Sequence, residues 1–403
     1  MSVTHGKLIH GFLVWSGLAA SSLVLVRLVA ELGSKPAILP PLDLVAFWAA
    51  ARLMLAGSNP YAPEQIMPIQ ISAGWSGTGL NMVWEPPWAL PLVTPLGWVS
   101  YHVAALLWLI ANAALVFSCA YLAWCYYGGS QRRWFYPLLL AATFVPALDL
   151  LKLGQMSAWV LLGAVGFLFA MRQRHEVLAG LSLGLVALKP HVAFLLCLAL
   201  LLWTLEGRRW RVILGACLAL GSMSGIALLA NPPIFAYYVT LMTQLSPTNI
   251  MSPNISTLLR IWFGGAHAWV QWLPALAGVV WFVGHWWQRH RAWDWGREVP
   301  VLLLVSLLTS PHSWIYDQVL LILPLSQLSA TLPQTVARSH VARVAVLYGA
   351  VDGLALVLYV VLRGVPMQVF WWLGPAWGFI YVFARRKPTA LYPAALSRRT
   401  GQP

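Results

Sequence analysis

Along the chain, long apolar runs are separated by short breaks carrying arginine, lysine, proline or glycine. A helix that crosses a bilayer needs about 20 mostly apolar residues. Runs near that length fall at 8–30, 101–125, 134–151, 156–171, 177–189 and 191–205, then at 212–230, 267–287, 299–310, 317–333, 344–362 and 367–384. The pattern predicts an all-α polytopic membrane protein of about 12 transmembrane helices, with residues 1–403 forming a single membrane domain. The first run is too long for a signal-peptide core and is expected to be a retained span. Two stretches interrupt the alternation. Residues 31–100 are rich in Pro, Gly, Trp and Asn, and residues 231–266 hold a turn-rich segment, Met251 to Ser256, with helix-like pieces on either side. Loops of this length usually carry function.

Inside the first of them, Asp43 opens a helical run that stops at Gly57-Ser58-Asn59-Pro60. Asp43, Phe47, Ala50 and Met54 share one face of that helix, a carboxylate at its N-terminal end with apolar or small groups below. Two readings are open for the acid: a cap that interacts well with the helix dipole, or a group placed for chemistry.

Composition supports the membrane reading. Of the 403 residues 60% are hydrophobic and 9% charged, with mean hydropathy +0.73, against about 25% charged in a soluble domain. Lys and Arg number 25 against 11 Asp and Glu. In a soluble chain that excess would suggest nucleic acid; here it reads as topology. With the N-terminus in the cytoplasm, 18 of the 25 basic residues fall on the inner side and seven outside, as the positive-inside rule requires. Both termini are then cytoplasmic, and loops 31–100 and 231–266 lie on the opposite face. The four cysteines, Cys119, Cys125, Cys197 and Cys217, sit in apolar runs without metal-ligand spacing and read as small core residues.

The eleven acids are few enough to sort singly. Glu176, Glu206, Asp294 and Glu298 lie among inner-side arginines and read as solvated loop charges. Glu31 and Glu64 sit in the first loop without apolar context. Asp352 falls inside a predicted span, where a lone carboxylate must find an internal partner, structural or functional. Asp43, Glu85, Asp149 and Asp317 are all expected at the outer boundary. Asp149 has Lys152 at i+3, a local helix-end pair. Glu85 sits in the rigid aromatic turn Trp84-Glu85-Pro86-Pro87-Trp88, fit to line a sugar site or to seat at the interface. On the same boundary Arg52, Lys152, Lys189, Arg260, Arg363 and His312 run against the topological bias. Each suits a lipid-linked phosphate or an ordinary headgroup; Lys189, before Pro190, favours the former, and Arg52, well round the helix from Asp43, the latter.

Taken in order, Asp43, Phe47-Trp48, Ala50-Ala51, Leu55, Gly57 and Pro60-Tyr61, then Trp84-Glu85-Pro86-Pro87, resemble glycosyltransferase family 87. Gly154-Gln155-Met156-Ser157, Lys189-Pro190, Asn254-Ile255-Ser256 and Ser310-Pro311 with Ser313-Trp314 extend the likeness over roughly 40–325. The resemblance implies a GT-C bundle with extracytoplasmic loop helices, in the plasma (inner) membrane, its active site on the periplasmic or extracytoplasmic side. It implies a polyprenyl-phosphate-linked sugar as donor, no further cofactor, and a lipid or glycan as acceptor. Asp43 matches the family's catalytic acid, and Trp84, Glu85, Tyr61, Gln155, Lys189, Asn254, Arg260, His312, Tyr316 and Asp317 are the candidate substrate-binding residues. The chain departs from the mannosyltransferases of the family, which place a histidine after the Ser-Trp pair where this sequence has Tyr316-Asp317; the sugar is therefore left as mannose or a related hexose.

The inventory suits this chemistry in its own right. Transfer from a lipid-linked phosphate needs a base for the acceptor hydroxyl and cations for the departing phosphate; one base with in-line attack gives inversion. The scheme requires no metal, and the chain has no Asp-x-Asp pair, P-loop or dinucleotide-binding glycine pattern. The Asn254-Ile255-Ser256 sequon reads as a turn. A lipid or glycan transporter or flippase is the rival class. It would put ionisable groups near the midplane, often in matched halves, and Asp352 is the residue that favours it. An O-antigen ligase or polymerase would share the substrates but order its motifs differently.

Overall fold

A computed structural model describes residues 42–76, 79–245, 251–361 and 366–385. The predicted span 8–30, Glu31, Arg363 and the tail beyond Arg385 lie outside the described residues. Among those described, all regular structure is helical. In chain order the helices are α1 (Leu44–Leu55), α2 (Pro63–Ser72), α3 (Tyr101–Tyr126), α4 (Phe135–Thr143), α5 (Val145–Leu153), α6 (Ser157–Arg172), α7 (Glu176–Val186) and α8 (Phe194–Glu206). They continue as α9 (Trp210–Ala230), α10 (Ile234–Gln244), α11 (Ile255–Phe263), α12 (Leu273–Arg289), α13 (Trp295–Thr309), α14 (Ile322–Thr335), α15 (Arg338–Leu356) and α16 (Leu373–Arg385).

Counting α14 with the helical turn Ile315–Leu321 before it and α15 with the turn after it, four helices among the described residues are long and apolar enough to cross a membrane: Tyr101–Tyr126, Trp210–Ala230, Ile315–Thr335 and Arg338–Tyr359. A fifth is reached if α4 and α5, bent by 60°, count as one broken span. Several of the twelve predicted runs are thus shorter helices; α7 and α8, of 11 and 13 residues, meet at the Lys189-Pro190 break. Predicted run 134–151 also breaks, at Phe144, because Pro146 lacks the N–H that would continue the ladder and its ring crowds the preceding turn. The Val145 N–H beside the break donates to Asp352 Oδ1 at 3.1 Å. That contact supplies the internal partner a carboxylate in this span requires.

Burial separates a central helix from a peripheral one. In the Ile315–Thr335 helix 89% of the apolar window is enclosed by protein, against 22% in Trp210–Ala230. α7 packs on α9 at Gly180 and Gly215, where a Cβ on either would lie 2.1 Å from a backbone oxygen of the other helix; close backbone approach through small residues is the usual solution where water does not drive association. Cys119 is buried as expected, whereas Cys125 and Cys217 face outward.

α1 is enclosed on nearly every side, with Leu44 to Ala51 all buried, so its apolar pattern reflects a core helix rather than one lying on a surface. Its entry is tied down by α5. The last carbonyls of α5, on Lys152 and Leu153, accept the N–H groups of Leu42 (3.0 Å) and Asp43 (2.8 Å). Gly154 then ends α5 in the left-handed region at φ 77°, a C-terminal position that glycine fills without strain. Its carbonyl accepts the Trp108 indole N–H at 2.7 Å.

Candidate functional site

Four breaks in helical structure converge on one cluster. Asp43 stands before α1, Gln155 follows the α5 terminus, Lys189 precedes Pro190 between α7 and α8, and Asp317 lies in the 3-10 turn Ile315–Leu321 that leads into α14. Lys189 is held outside the helical region (φ −136°, ψ 72°), since the following proline disfavours helix for the residue before it. Trp88 braces the same corner by donating its indole N–H to Ala187 O at 2.8 Å.

Asp43 occupies the N-cap position of α1, yet its side chain makes no capping hydrogen bond. Its carboxylate instead accepts from Asn81 Nδ2 on Oδ1 (3.0 Å) and from Gln155 Nε2 on Oδ2 (2.7 Å). Lys189 Nζ donates to Gln155 Oε1 (3.0 Å) and Asp317 Oδ1 (3.2 Å), lies 4.6 Å from the Tyr316 ring centre, and stands 4.0 Å from Glu85 Oε1. Asp317, fully buried, also accepts from Ser157 Oγ (2.6 Å) and, on Oδ2, from the Trp314 N–H (2.9 Å). Glu85 Oε2 takes its own neighbour's N–H, that of Trp84, at 3.2 Å. Tyr61 hydroxyl donates to the Glu85 backbone carbonyl (2.9 Å) and its ring sits 5.3 Å from Tyr238. Lys189 and Asp317 are enclosed, while Asp43 and Glu85 keep some exposure. The cluster is therefore an acid-rich cup around a single ammonium, with Asp43 and Glu85 its part-exposed members.

Its electrostatics follow from that shape. Loss of solvent raises the Asp43 pKa above its ordinary value, opposed by the hydrogen bonds from Gln155 and Asn81 and by the Lys189 charge. Burial raises Glu85 too, with Lys189 again opposing.

The remaining candidates form a second cluster on and around α11. Asn254 caps that helix, accepting the Thr257 N–H on Oδ1 (2.9 Å) and donating to Ser310 O (3.3 Å); the segment read as a turn is thus a helix start, and both ends of the Asn254 amide are in use. Arg260, buried, donates to Gln271 Oε1 (3.3 Å) and approaches Met251 Sδ (3.1 Å). His312 follows, its pKa lowered by burial and by the Arg260 charge. His191, on the exposed side of the Lys189-Pro190 corner, lies within electrostatic reach of Asp317, Lys189 and His312.

Asp43, Glu85, Gln155, Lys189, Tyr316 and Asp317 are thus brought together, with Tyr61 and Trp84 on the Glu85 side, while Arg260, Asn254 and His312 belong to the second cluster. Sequence reasoning missed Asn81 and His191, which no periodicity distinguishes, and gave Ser157 no role. Two acids are reassigned. Asp149 takes its hydrogen bond from the Tyr359 hydroxyl, whose ring also carries Lys152 at 4.9 Å, so the acid and the lysine stay within electrostatic reach of each other and share a tyrosine in place of a direct ion pair. Glu298 is buried, not solvated, bonded to His285 Nε2 (2.6 Å) and flanked by Arg289 (3.6 Å). Among the described residues no three His, Cys, Asp or Glu side chains are grouped as metal ligands.

A family model described as glycosyltransferase family 87 matches residues 85–311, more than half of the chain. The match takes in Glu85, Gln155, Lys189, Asn254 and Arg260 and leaves Asp43 and Asp317 outside its ends. No curated protein and no solved structure matches the chain.

Proposed function

The chain belongs to glycosyltransferase family 87, and from that premise we propose that it moves mannose or a related hexose from a polyprenyl-phosphate donor to a lipid or glycan acceptor on the non-cytoplasmic face of the plasma membrane. The family makes it a membrane glycosyltransferase; the donor, the acceptor and the side are our reading. Asp43 is the general base. The acceptor hydroxyl gives its proton to this carboxylate as its oxygen attacks the anomeric carbon. The bond from that carbon to the phosphate oxygen breaks in line, the configuration inverts, and polyprenyl phosphate leaves with the bonding pair.

The observation that carries the proposal is the setting of Asp43. It stands at a helix start yet does not cap, its two oxygens are aimed by Asn81 and Gln155, and it is only partly buried. Lys189 is the cation for the departing phosphate. Two of its three N–H groups are engaged by Gln155 and Asp317, and the third faces Glu85 across 4.0 Å, longer than a hydrogen bond. Arg260 is a second candidate cation and His312, held toward its neutral form, a hydrogen-bonding one, and Trp84, Tyr61 and Tyr316 are the aromatic candidates for contact with a sugar. No observation favours the transporter reading, since Asp352 is bonded to the amide at the α4–α5 break.

The test is Asp43→Asn in proteoliposomes with radiolabelled polyprenyl-phosphate mannose or glucose. A positioned base contributes about 10²–10⁴-fold, so transfer falls by that factor in folded protein. Retained transfer would show that Asp43 is not the base.

A further inference from the structure

Gln155 is the only side chain that touches both Asp43 and Lys189 among the contacts of this cluster. An amide of this kind can be placed with its oxygen and nitrogen exchanged, and its neighbours decide which way it faces. Here they leave one choice. A lysine ammonium has three donors and no acceptor, so the carboxamide oxygen faces Lys189 at 3.0 Å. The nitrogen then faces Asp43 Oδ2 at 2.7 Å, and its N–H donates to the carboxylate. Gly154 in the left-handed region turns the chain after α5 so that Gln155 projects between the two.

We infer that Gln155 is a positioning residue: gripped by Lys189, its carboxamide delivers an N–H to Asp43 and so fixes the rotamer and the charge state in which that carboxylate meets the acceptor. This rests on the reading of Asp43 as base and adds to it a route by which a lysine with no contact to the acid controls it. A hydrogen bond to the charged form favours that form, so the Gln155 N–H opposes the burial that raises the Asp43 pKa. The other titratable groups within electrostatic reach of Asp43 are Lys189, Asp149, Tyr101 and Tyr316. Of these only Lys189 is cationic, and it acts on Asp43 through Gln155 as well as across space. Asn81, on the other oxygen, supplies a second N–H but has no cation behind it among the contacts described.

The experiment reads the protonation of Asp43 without needing the substrate. Carbodiimides modify protonated carboxyl groups, and the extent of labelling at Asp43 across a pH series, measured by mass spectrometry on the full-length protein in detergent, gives its midpoint. A hydrogen bond to a charged group is worth about one to two pH units of midpoint. Gln155→Leu, which keeps the bulk and removes both contacts, is expected to move the Asp43 midpoint up by that amount. Gln155→Glu keeps an acceptor for Lys189 and replaces the donor by a like charge, so the same upward shift is expected in a variant that preserves the ion pairing and the fold. In transfer assays both variants lose rate below the new midpoint and regain it within a few-fold above. An unchanged midpoint in the variants that fold overturns the inference. The underlying reading is judged separately: a shifted midpoint with full activity in Asp43→Asn defeats the base assignment but leaves the Gln155 contact in place.

Discussion

Two buried ionic clusters sit at opposite ends of the same helices. α8 starts beside Lys189 and ends near Trp203, whose ring meets Trp295 at the start of α13; α13 in turn runs from Glu298 back to Ser310. At the Trp295 end one acid, Glu298, faces two basic side chains, His285 and Arg289, inside a nest of tryptophans: 281, 286, 293 and 295. At the other end one ammonium, Lys189, faces Asp317 and Glu85 directly and Asp43 through Gln155, and Asp43 and Glu85 are only partly buried. Burying ions is costly unless each is matched. The first cluster comes close to that and reads as a staple between α12 and α13. The second gathers more acids than cations and raises the pKa of two part-exposed carboxylates, an arrangement that marks candidate functional sites.

Substitution of the two acids separates the clusters most sharply. Asp43→Asn is expected to lower transfer by about 10²–10⁴-fold with folding intact. Glu298→Ala is expected to leave the rate per folded molecule unchanged while lowering stability by about 1–3 kcal/mol, because the part-buried His285 loses its acceptor; thermal unfolding of the purified protein in detergent measures it. If Glu298→Ala abolished transfer in folded protein, the division into staple and site would be wrong.

Lys189→Ala comes next. It removes the proposed phosphate contact and the grip on Gln155 together, so two changes are expected: a rise in the donor KM of about tenfold or more, and an upward move of the acid limb of the rate profile. The sign follows from Asp43. The base works ionised, its folded pKa is raised, and rate is lost as pH falls through that raised value. Removing a cation that opposes the rise lifts it further. Because the change strands Asp317 without its cation, the double variant Lys189→Ala with Asp317→Asn is the control. It is expected to recover folding and to keep both kinetic changes, while recovery of donor affinity would assign Lys189 a purely structural role.

The contrast also marks what sequence could supply. Helix extents were legible wherever one apolar run makes one helix: the run at 101–125 is α3, that at 156–171 is α6, and the Asp43 stretch is α1 with its predicted stop. The candidate residues were legible too, because carboxylates and lysines stand out in a chain this apolar. Their pairing was not. Asp43 meets Gln155 across 112 positions, Lys189 meets Asp317 across 128, and Tyr359 meets Asp149 across 210, whereas periodicity speaks only for neighbours within a helical turn or two. Local spacing is what suggested Asp149 with Lys152, and the nearby arginines are what made Glu298 look solvated. Pro146 did announce the α4–α5 break, but its apolar flanks made the run read as continuous.

Asp352 offers the smallest effect and the finest test of the same contrast. It is a lone acid in a membrane-spanning helix, and by that token it resembles the ionisable groups of transport pathways. Its contact argues for a different role. Oδ1 accepts the Val145 N–H where α5 restarts after the bend, and α5 carries at its far end the carbonyl that holds the backbone of Asp43. Asp352 therefore acts on the site through the placement of a helix. Asparagine keeps an acceptor oxygen of the same reach, so Asp352→Asn is expected to cost under about 1 kcal/mol and to change transfer less than about threefold. Asp352→Leu removes the acceptor and leaves a buried amide unmatched, costing about 1–3 kcal/mol and lowering transfer in proportion to folded protein. If Asp352→Asn lost transfer as completely as Asp43→Asn while remaining folded, charge at the bend would be part of the mechanism, and the line between the acid-rich cup and the rest of the bundle would have to be redrawn.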